Sequence, residues 1–312
     1  MARLTDSDCL IAASYYAPRG ADRLMRLGNL LGERYLKPED HLIGIIGEPG
    51  TGKSSLLRGM FPGLELTSDD EGIKVRPLPI MQVNDRTYFS PHTYHLDVRL
   101  ETAFTQMGEL AELIECALKK NKRVIVEHFE MLYPVLGINA GLLIGMGEEI
   151  VISRPNVFGP YPENIYESIK GTEIYRKMAH TAEDLTGYIL KEHYNYDPPD
   201  IHSDFPCGFV IEFPERPSFE IKEVEQKVQK LMEEGVEMQQ SDGDGIMIGE
   251  QVYPCTGPRN HVDNSREIEN FRLLDRFFYE SLTDTYKLVG LVGEGAPTSY
   301  TYQLYFDDDK FE

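Results

Sequence analysis

Apolar and charged positions in the first part of the chain follow first a helical and then a strand period. Residues 18–36 carry leucines at helical spacing and are followed by Pro38-Glu39-Asp40, so we predict a helix there. Residues 41–46 form a short isoleucine-rich run bounded by glycine, which is typical of a buried parallel strand. A second helix is predicted to begin at Lys53.

The same alternation continues as far as residue 153. We predict strands at 73–83 and 94–98, a long helix at 102–120, a buried strand at 124–126 and a closing strand at 149–153. Strands that alternate with helices favour an α/β fold with a doubly wound, mostly parallel sheet.

A change of pattern indicates a second domain. Residues 154–163 hold three prolines and one glycine, which is typical of a connector. We therefore predict one domain at 1–160 and a second, α+β domain at 161–312. Its expected elements are helices at 164–190, 221–234 and 265–283, strands at 208–213, 287–292 and 300–306, and a hairpin turn at 241–245.

Composition excludes several classes of protein. Hydrophobic residues make up 41% of the chain, enough for a packed core rather than disorder. The charge of −21 repels polyanions and argues against broad, non-specific nucleic-acid binding. No apolar run approaches the roughly 20 residues of a membrane helix, and the first residues lack a signal peptide, so we expect a cytoplasmic protein without a membrane partner. The cysteines are scattered, which favours reduced thiols or a metal ligand over disulfides: Cys9, Cys116, Cys207 and Cys255.

A phosphate-binding loop is predicted between the first buried strand and the helix that follows it. The segment Gly47-Glu-Pro-Gly-Thr-Gly-Lys-Ser54 fits G-x-x-x-x-G-K-[ST] in full. Glycines let backbone N–H groups curl around phosphate oxygens, Lys53 supplies a positive charge, and the Ser54 hydroxyl is placed to bind Mg²⁺. We therefore expect ATP or GTP to bind here with Mg²⁺; alternatively, the segment is a glycine-rich turn that binds nothing. The predicted cofactor-binding residues are Gly47, Glu48, Pro49, Gly50, Thr51, Gly52, Lys53, Ser54 and Ser55.

Two further segments extend the pattern to a kinase family. With Ser68-Asp-Asp70 and Val124-Ile-Val-Glu127, the region resembles the uridine kinase and phosphoribulokinase branch of P-loop proteins. The resemblance implies that Asp69 takes the proton from the hydroxyl of a small-molecule acceptor and that Glu127 lies near metal and substrate. A carboxylate at the carboxyl end of a parallel strand also points into the ligand crevice on physical grounds. Alternatively, Asp69 belongs to a solvated acidic turn.

The kinase pattern is incomplete in one respect. Such kinases use an arginine-bearing lid over the transferring phosphoryl group, whereas Arg154 is the only basic residue between 139 and 160. Nucleotide binding is therefore better founded than phosphoryl transfer. His95 and His128 show no partner in the sequence and are expected to be packed or solvated groups.

A second constellation lies in the other half. His180 and Asp184 share a helix face at i, i+4, and Cys255-Thr-Gly-Pro-Arg-Asn-His261 follows much later. Together with 208–213 and 221–234, these segments resemble the second additional domain of threonyl-tRNA synthetases, shared with alanyl-tRNA synthetases and free-standing editing proteins. Asp184 replaces the family's second histidine, and the Cys-to-His interval is longer by two residues.

The resemblance implies a common pocket for His180, Asp184, Cys255 and His261. These side chains are a chemically reasonable ligand set for Zn²⁺. They also suit activation of a water without metal, and a retained fold with an inactive site is a further alternative.

Three functions follow from the two halves. The first is a uridine kinase-like phosphotransferase that binds a nucleoside triphosphate and is fused to an editing-like domain. The second is a nucleotide-gated regulatory protein, and the third is a trans-editing hydrolase whose partner is mischarged aminoacyl-tRNA.

Overall fold

The computed structural model describes residues 10, 12–18, 20–67, 79–82, 92–196, 203–205, 207–241, 245–255 and 261–293. They divide into two compact units, Met1–Ala17 with Ala21–Lys170 and Pro18–Gly20 with Gly171–Glu312. The division falls after Lys170 rather than at the predicted 160, because the helix Pro162–Ile169 packs into the core of the first unit. No helix within these ranges is long and apolar enough to cross a membrane.

A six-stranded sheet forms the centre of the first unit. Its strands are β1 (Ala12–Tyr16), β2 (Leu42–Ile46), β3 (Thr93–Asp97), β4 (Arg123–Glu127), β5 (Leu142–Met146) and β6 (Glu149–Ser153). They lie in the order β1-β6-β5-β2-β4-β3, and the pairs from β5 to β3 are parallel. The two pairs that involve β6 are antiparallel. The unit is therefore mixed α/β with a mostly parallel sheet.

Helices cover both faces of this sheet. They are α1 (Ala21–Tyr35), α2 (Lys53–Met60), α3 (Val98–Glu101), α4 (Met107–Lys119), α5 (Phe129–Leu136) and α6 (Pro162–Ile169). The first two pack on the side of Ile43 and Ile45, whereas α4, α5 and α6 pack on the opposite side. Strand β2 is buried along its whole length, which explains why its sequence is continuously apolar.

Two glycines bring α1 and α2 into backbone contact. A Cβ on Gly59 would lie 2.0 Å from the carbonyl oxygen of Met25, and a Cβ on Gly28 would lie 2.2 Å from that of Leu56. No side chain larger than hydrogen fits either position without a shift of the backbone. This contact fixes the helix whose first residue is Lys53.

The second unit is α+β and its strand pairs among the described residues are all antiparallel. Its helices are α7 (Glu173–Tyr194) and α8 (Ile221–Glu234). One sheet has the order β12-β14-β8-β7, with β13 also paired to β14, and a smaller sheet has the order β11-β10-β9. The strands are, in chain order, β7 (Ser203–Phe205), β8 (Gly208–Phe213), β9 (Met238–Gln240), β10 (Gly245–Ile248), β11 (Gln251–Pro254), β12 (Arg272–Leu273), β13 (Phe278–Glu280) and β14 (Thr285–Leu291).

Some predicted helices are wrong. The helix predicted at 102–120 begins only at Met107, and the one predicted at 164–190 is interrupted at Gly171, which has a φ of 76°. The helix predicted at 265–283 is absent: a short 3₁₀ turn is followed by β12 and β13, because this segment pairs with β14. The strands β1 and β5 and the helix α5 were not predicted.

Other predictions lie partly or wholly outside the described residues. Of the strand predicted at 73–83, only a 3₁₀ turn at Pro79–Gln82 is described. The strand predicted at 300–306 falls outside, and so do 242–244 in the predicted hairpin turn, although β9 and β10 on either side pair antiparallel.

Candidate functional site

The loop between β2 and α2 is shaped by glycines. Gly50 has a φ of 88° and Gly52 one of 94°, both in the left-handed region that other residues rarely adopt. A Cβ on Gly52 would also lie 2.4 Å from Cδ1 of Leu24. The tip of the loop, Pro49 and Gly50, is exposed, so a ligand has access to it.

The lysine of this loop is buried and turned back over the backbone. Lys53 Nζ donates to the carbonyl oxygens of Gly47 at 3.1 Å and Glu48 at 2.8 Å. The Thr51 hydroxyl donates to the same Glu48 carbonyl at 3.0 Å. The loop therefore encloses a positive charge at the start of a helix, where the helix dipole is also positive.

Ser54 and Ser55 occupy the first turn of α2, and both are partly exposed. Both therefore lie at the positive end of the helix dipole.

Glu127 ends β4 beside this loop. Its Oε2 lies 4.0 Å from Nζ of Lys53, and its side chain is 3% exposed. Burial raises the pKa of Glu127, but a hydrogen bond from His95 and the positive charge of Lys53 outweigh burial, so the pKa falls below its ordinary 4.5. The carboxylate is therefore held in its charged form.

His95, expected to be a packed or solvated group, instead connects two segments. Its Nδ1 lies 3.0 Å from the backbone N of Thr67, and its Nε2 lies 2.9 Å from Oε1 of Glu127. Since a backbone N–H can only donate, Nδ1 is the acceptor and the proton of the neutral ring is on Nε2, facing Glu127. A hint existed in the sequence, because His95 and Asp97 are polar residues at i, i+2 in a buried strand.

Two further residues at this edge of the sheet were not predicted. Asp97 lies next to Glu127 in the parallel register, and its carboxylate caps α3 by accepting from the N–H of Leu100 at 3.1 Å. Tyr166 of α6 donates to Oε1 of Glu48 at 2.6 Å, which raises the pKa of Tyr166 to about 12. Nothing in the sequence linked α6 to the loop, because the two are more than a hundred residues apart.

Of the two predicted catalytic residues, Asp69 and Glu127, the structure describes Glu127. Asp69 lies outside the described residues, two positions after the anchored Thr67. The guanidinium of Arg154, the only basic residue between 139 and 160, pairs with both carboxylate oxygens of Asp40, at 2.7 and 2.9 Å. His128 is buried with a φ of 57° directly after Glu127, and its Nδ1 lies 3.4 Å from Oε1 of Glu130.

The second candidate site is a cluster of four buried side chains, as the sequence predicted. His180 and Asp184 project from α7, Cys255 follows β11, and His261 follows the segment 256–260, which lies outside the described residues. One donor atom from each lies within 4.8 Å of every other. Thr181, next to His180, accepts the N–H of Val262 at 3.1 Å and so fastens the His261 segment to α7.

The distances inside the cluster are uneven but short. Nε2 of His261 lies 2.8 Å from Oδ2 of Asp184, and Nε2 of His180 lies 3.5 Å from the same oxygen. Sγ of Cys255 lies 3.2 Å from Nε2 of His180 and 3.8 Å from that of His261. Zinc bonds of about 2.0 to 2.3 Å at tetrahedral angles separate ligand atoms by roughly 3.3 to 3.6 Å. Two of the distances, 3.2 and 3.5 Å, are close to that spacing, and all four donor atoms lie within 4.8 Å of one another.

One carboxylate oxygen in the cluster remains unsatisfied. Oδ1 of Asp184 is buried and has no hydrogen-bond partner among the residues described. A buried oxygen without a partner is costly unless another group, such as a cation, compensates it. The arrangement can therefore bind a metal ion or exchange protons among its own members.

Compared with models of protein families and with curated proteins, the chain matches none of them. The resemblances to uridine kinases and to threonyl-tRNA synthetases therefore remain expectations from the motifs. The geometry of the two sites carries the functional argument.

Proposed function

We propose that the first unit is a P-loop domain that binds ATP or GTP with Mg²⁺ and transfers a phosphoryl group to a small-molecule acceptor. The observation that carries this proposal is the buried Lys53. It lies over the loop carbonyls at the start of α2 and 4.0 Å from Glu127 on the neighbouring strand. A strand, loop, lysine and helix in this arrangement are the parts that cradle a triphosphate.

The contacts of Lys53 explain how the loop would accept phosphate. A buried ammonium that donates to carbonyl oxygens gains from an anionic phosphate nearby, because charge-assisted hydrogen bonds are the stronger ones. The exposed tip at Pro49 and Gly50 gives phosphate a route to the loop. Ser54 would hold Mg²⁺, which would neutralise charge that develops on the phosphates.

Two carboxylates are assigned to the transfer step. Asp69 would take the proton from the acceptor hydroxyl, and the charged Glu127 would lie near the metal and the reacting phosphate. The hydroxyl oxygen forms the new bond to phosphorus, the bond to the nucleoside diphosphate breaks, and the proton goes to Asp69. Without the transfer, the same loop would make the chain a nucleotide-gated regulatory protein.

Calorimetry tests the nucleotide site. We expect Mg²⁺-dependent binding of ATP or GTP, and Lys53→Ala should weaken it at least about tenfold. Lys119→Ala removes the same charge from an exposed side chain on α4 and should leave binding unchanged. Equal binding by the wild type and Lys53→Ala would refute the proposed site.

A second function is favoured by the buried cluster in the second unit. We propose that His180, Asp184, Cys255 and His261 hold Zn²⁺, and the unpartnered Oδ1 of Asp184 supports a cation there. Four protein ligands fill a tetrahedral shell, which is typical of structural rather than catalytic zinc. The trans-editing alternative needs a water at the metal, or a metal-free base, and an aminoacyl-tRNA that reaches this buried cluster.

Metal analysis tests this second proposal. Protein purified without chelator should carry about one zinc per chain, in line with a single four-ligand site. Cys255→Ser should lower the zinc content, whereas Cys116→Ser changes a half-buried thiol in the other unit and should not. Zinc-free wild-type protein after growth in zinc-containing medium would contradict the proposal.

A further inference from the structure

The connection from Thr67 through His95 to Glu127 has the geometry of a positioning device. We infer that His95 is a positioning residue that orients Glu127 toward the Mg²⁺–nucleotide site, an inference that rests on the proposed nucleotide function. His95 itself would not touch the substrate. It acts through the 2.9 Å contact between its Nε2 and Oε1 of Glu127.

Both ring nitrogens of His95 are occupied, so the ring has one orientation and one tautomer. Thr67 N–H donates to Nδ1 at 3.0 Å, which leaves the Nε2 proton for Glu127. The Thr67 hydroxyl lies 3.1 Å from the same Nδ1 and accepts the N–H of Asp97 at 3.2 Å. The ring is thus fixed by Thr67 on one side and by Glu127, at the end of β4, on the other, although both residues are distant from His95 in sequence.

The choice of residue supports a role beyond packing. His95 is 4% exposed and lies in a strand between two buried apolar neighbours, Tyr94 and Leu96. An apolar side chain could pack there too, but it would leave the N–H of Thr67 and Oε1 of Glu127 without this partner. The hydrogen bond uses Oε1 of Glu127 and leaves Oε2 on the side of Lys53, 4.0 Å from Nζ. One carboxylate oxygen is therefore tethered, and the other faces the phosphate loop.

The connection also reaches the segment that carries Asp69. Thr67, which precedes Asp69 by two residues in the chain, is held by His95. Orientation of the groups at a reacting centre is worth large factors in rate. His95 would therefore act on the rate through the orientation of Glu127.

A matched pair of substitutions separates the two hydrogen bonds. The amide N–H of glutamine in His95→Gln can replace Nε2 and still donate to Glu127, but it loses the acceptor for Thr67. The amide oxygen of asparagine in His95→Asn can replace Nδ1 and still accept from Thr67, but it does not reach Glu127. A merely structural histidine would respond to both changes in the same way.

The readout is the Mg²⁺ concentration needed for half-maximal ATP binding, measured by calorimetry on the full chain. We expect His95→Asn to raise it about tenfold and His95→Gln to stay within about threefold of wild type. Binding of ATP without Mg²⁺ should be the same in all three proteins. Equal Mg²⁺ requirements for the two variants would overturn the inference.

Two further measurements keep the inference falsifiable should His95→Asn fold poorly. Long-range ¹H–¹⁵N correlation spectra of the wild type should show the Nε2–H tautomer for His95, and the Nδ1–H tautomer would refute the connection. In a double-mutant cycle, His95→Ala, which removes the contact with Glu127, combined with Glu127→Gln should have the same Mg²⁺ requirement as Glu127→Gln alone, because His95 acts through Glu127. Absence of any nucleotide binding by the wild type would instead refute the proposed function, and this inference with it.

Discussion

The two candidate sites are built in opposite ways. In the first unit, one continuous loop from Gly47 to Ser54 provides backbone groups, a lysine and an exposed tip between a strand and a helix. In the second unit, four side chains from α7 and the distant 255–261 segment meet in a buried cluster. The first site is open to a ligand from solvent, whereas the second is closed around its own donors.

Because of this difference, we expect substitutions at the first site to affect ligand binding and substitutions at the second site to affect stability. Changes at an open loop should alter ligand binding and leave the fold intact, because few core contacts depend on its exposed tip. Changes in a closed cluster should alter the fold, since its members are bound to one another and bury polar atoms that need partners. Hydrogen exchange reports the stability of each unit separately within the same protein, so it can test this contrast between the two sites.

The sharpest test of an open, working site is Asp69→Asn. A positioned general base contributes about 10² to 10⁴ in rate, so we expect phosphoryl transfer to fall by at least the lower factor. Nucleotide affinity and thermal stability should stay close to wild type, because the loop and Lys53 are unchanged. The measurement is triphosphate-dependent phosphorylation across a panel of nucleosides and small alcohols. Absence of turnover in the wild type would favour the nucleotide-gated regulatory function.

Metal removal tests the closed site. Bound zinc stabilises the folded state by about 3 to 4 kcal/mol at free concentrations roughly 100 to 1,000 times its dissociation constant. Treatment with a chelator should therefore lower hydrogen-exchange protection in α7 and the strands of the second unit. Protection in β2, β4 and α2 should remain, and Cys255→Ser should be insensitive to chelator. Equal loss of protection in both units would abolish the contrast between the sites.

The loop site was predictable from sequence because its parts are consecutive. A buried strand, a glycine-rich turn and a helix follow one another from Leu42 to Met60, so local pattern alone identifies them. His95, Tyr166 and Asp97 could not be assigned, since they lie on other strands and helices than those that flank the loop. Pairing of strands and packing of helices, which the sequence pattern leaves undetermined, bring these residues to one edge of the sheet.

The closed site was predictable only in part. Helical spacing places His180 and Asp184 on one face, but the meeting with Cys255 and His261 rested on resemblance. The helix predicted at 265–283 is absent, which shows that periodicity alone does not determine secondary structure. Phe278 and Tyr279 belong instead to a short strand, because they pair with β14. Tertiary pairing overrides local propensity in such segments.

Gly59→Ala should sharpen the contrast by destabilising the first unit alone. The added Cβ would lie 2.0 Å from the Met25 carbonyl oxygen, and forced repacking of this kind costs about 1 to 3 kcal/mol. Gly108→Ala is the matched control, since nothing lies within 4 Å of its Cβ on the exposed side of α4. That change should stabilise the helix by about 0.5 to 1 kcal/mol. Chemical denaturation measures whether the free energy of unfolding falls in Gly59→Ala and rises in Gly108→Ala. A lower free energy of unfolding for Gly108→Ala would contradict the packing argument.

Tyr166→Phe should have the smallest effect and shows whether the open site also contributes to stability. Loss of the 2.6 Å hydrogen bond to Glu48 should weaken nucleotide binding about threefold and cost about 1 kcal/mol in unfolding free energy. The hydrogen bond raises the pKa of Tyr166 from 10.0 to about 12, so its contribution is complete below pH 10 and is lost as pH rises toward 12. Chemical denaturation at several pH values should therefore show that the difference in unfolding free energy between wild type and variant becomes smaller over that range.

The control variant is Tyr279→Phe. It removes an exposed hydrogen bond to Asp284 in the second unit and should change neither nucleotide binding nor the stability of the first unit. If the difference in unfolding free energy between wild type and Tyr166→Phe is constant from pH 7 to 12, the hydrogen bond from Tyr166 to Glu48 does not contribute to stability.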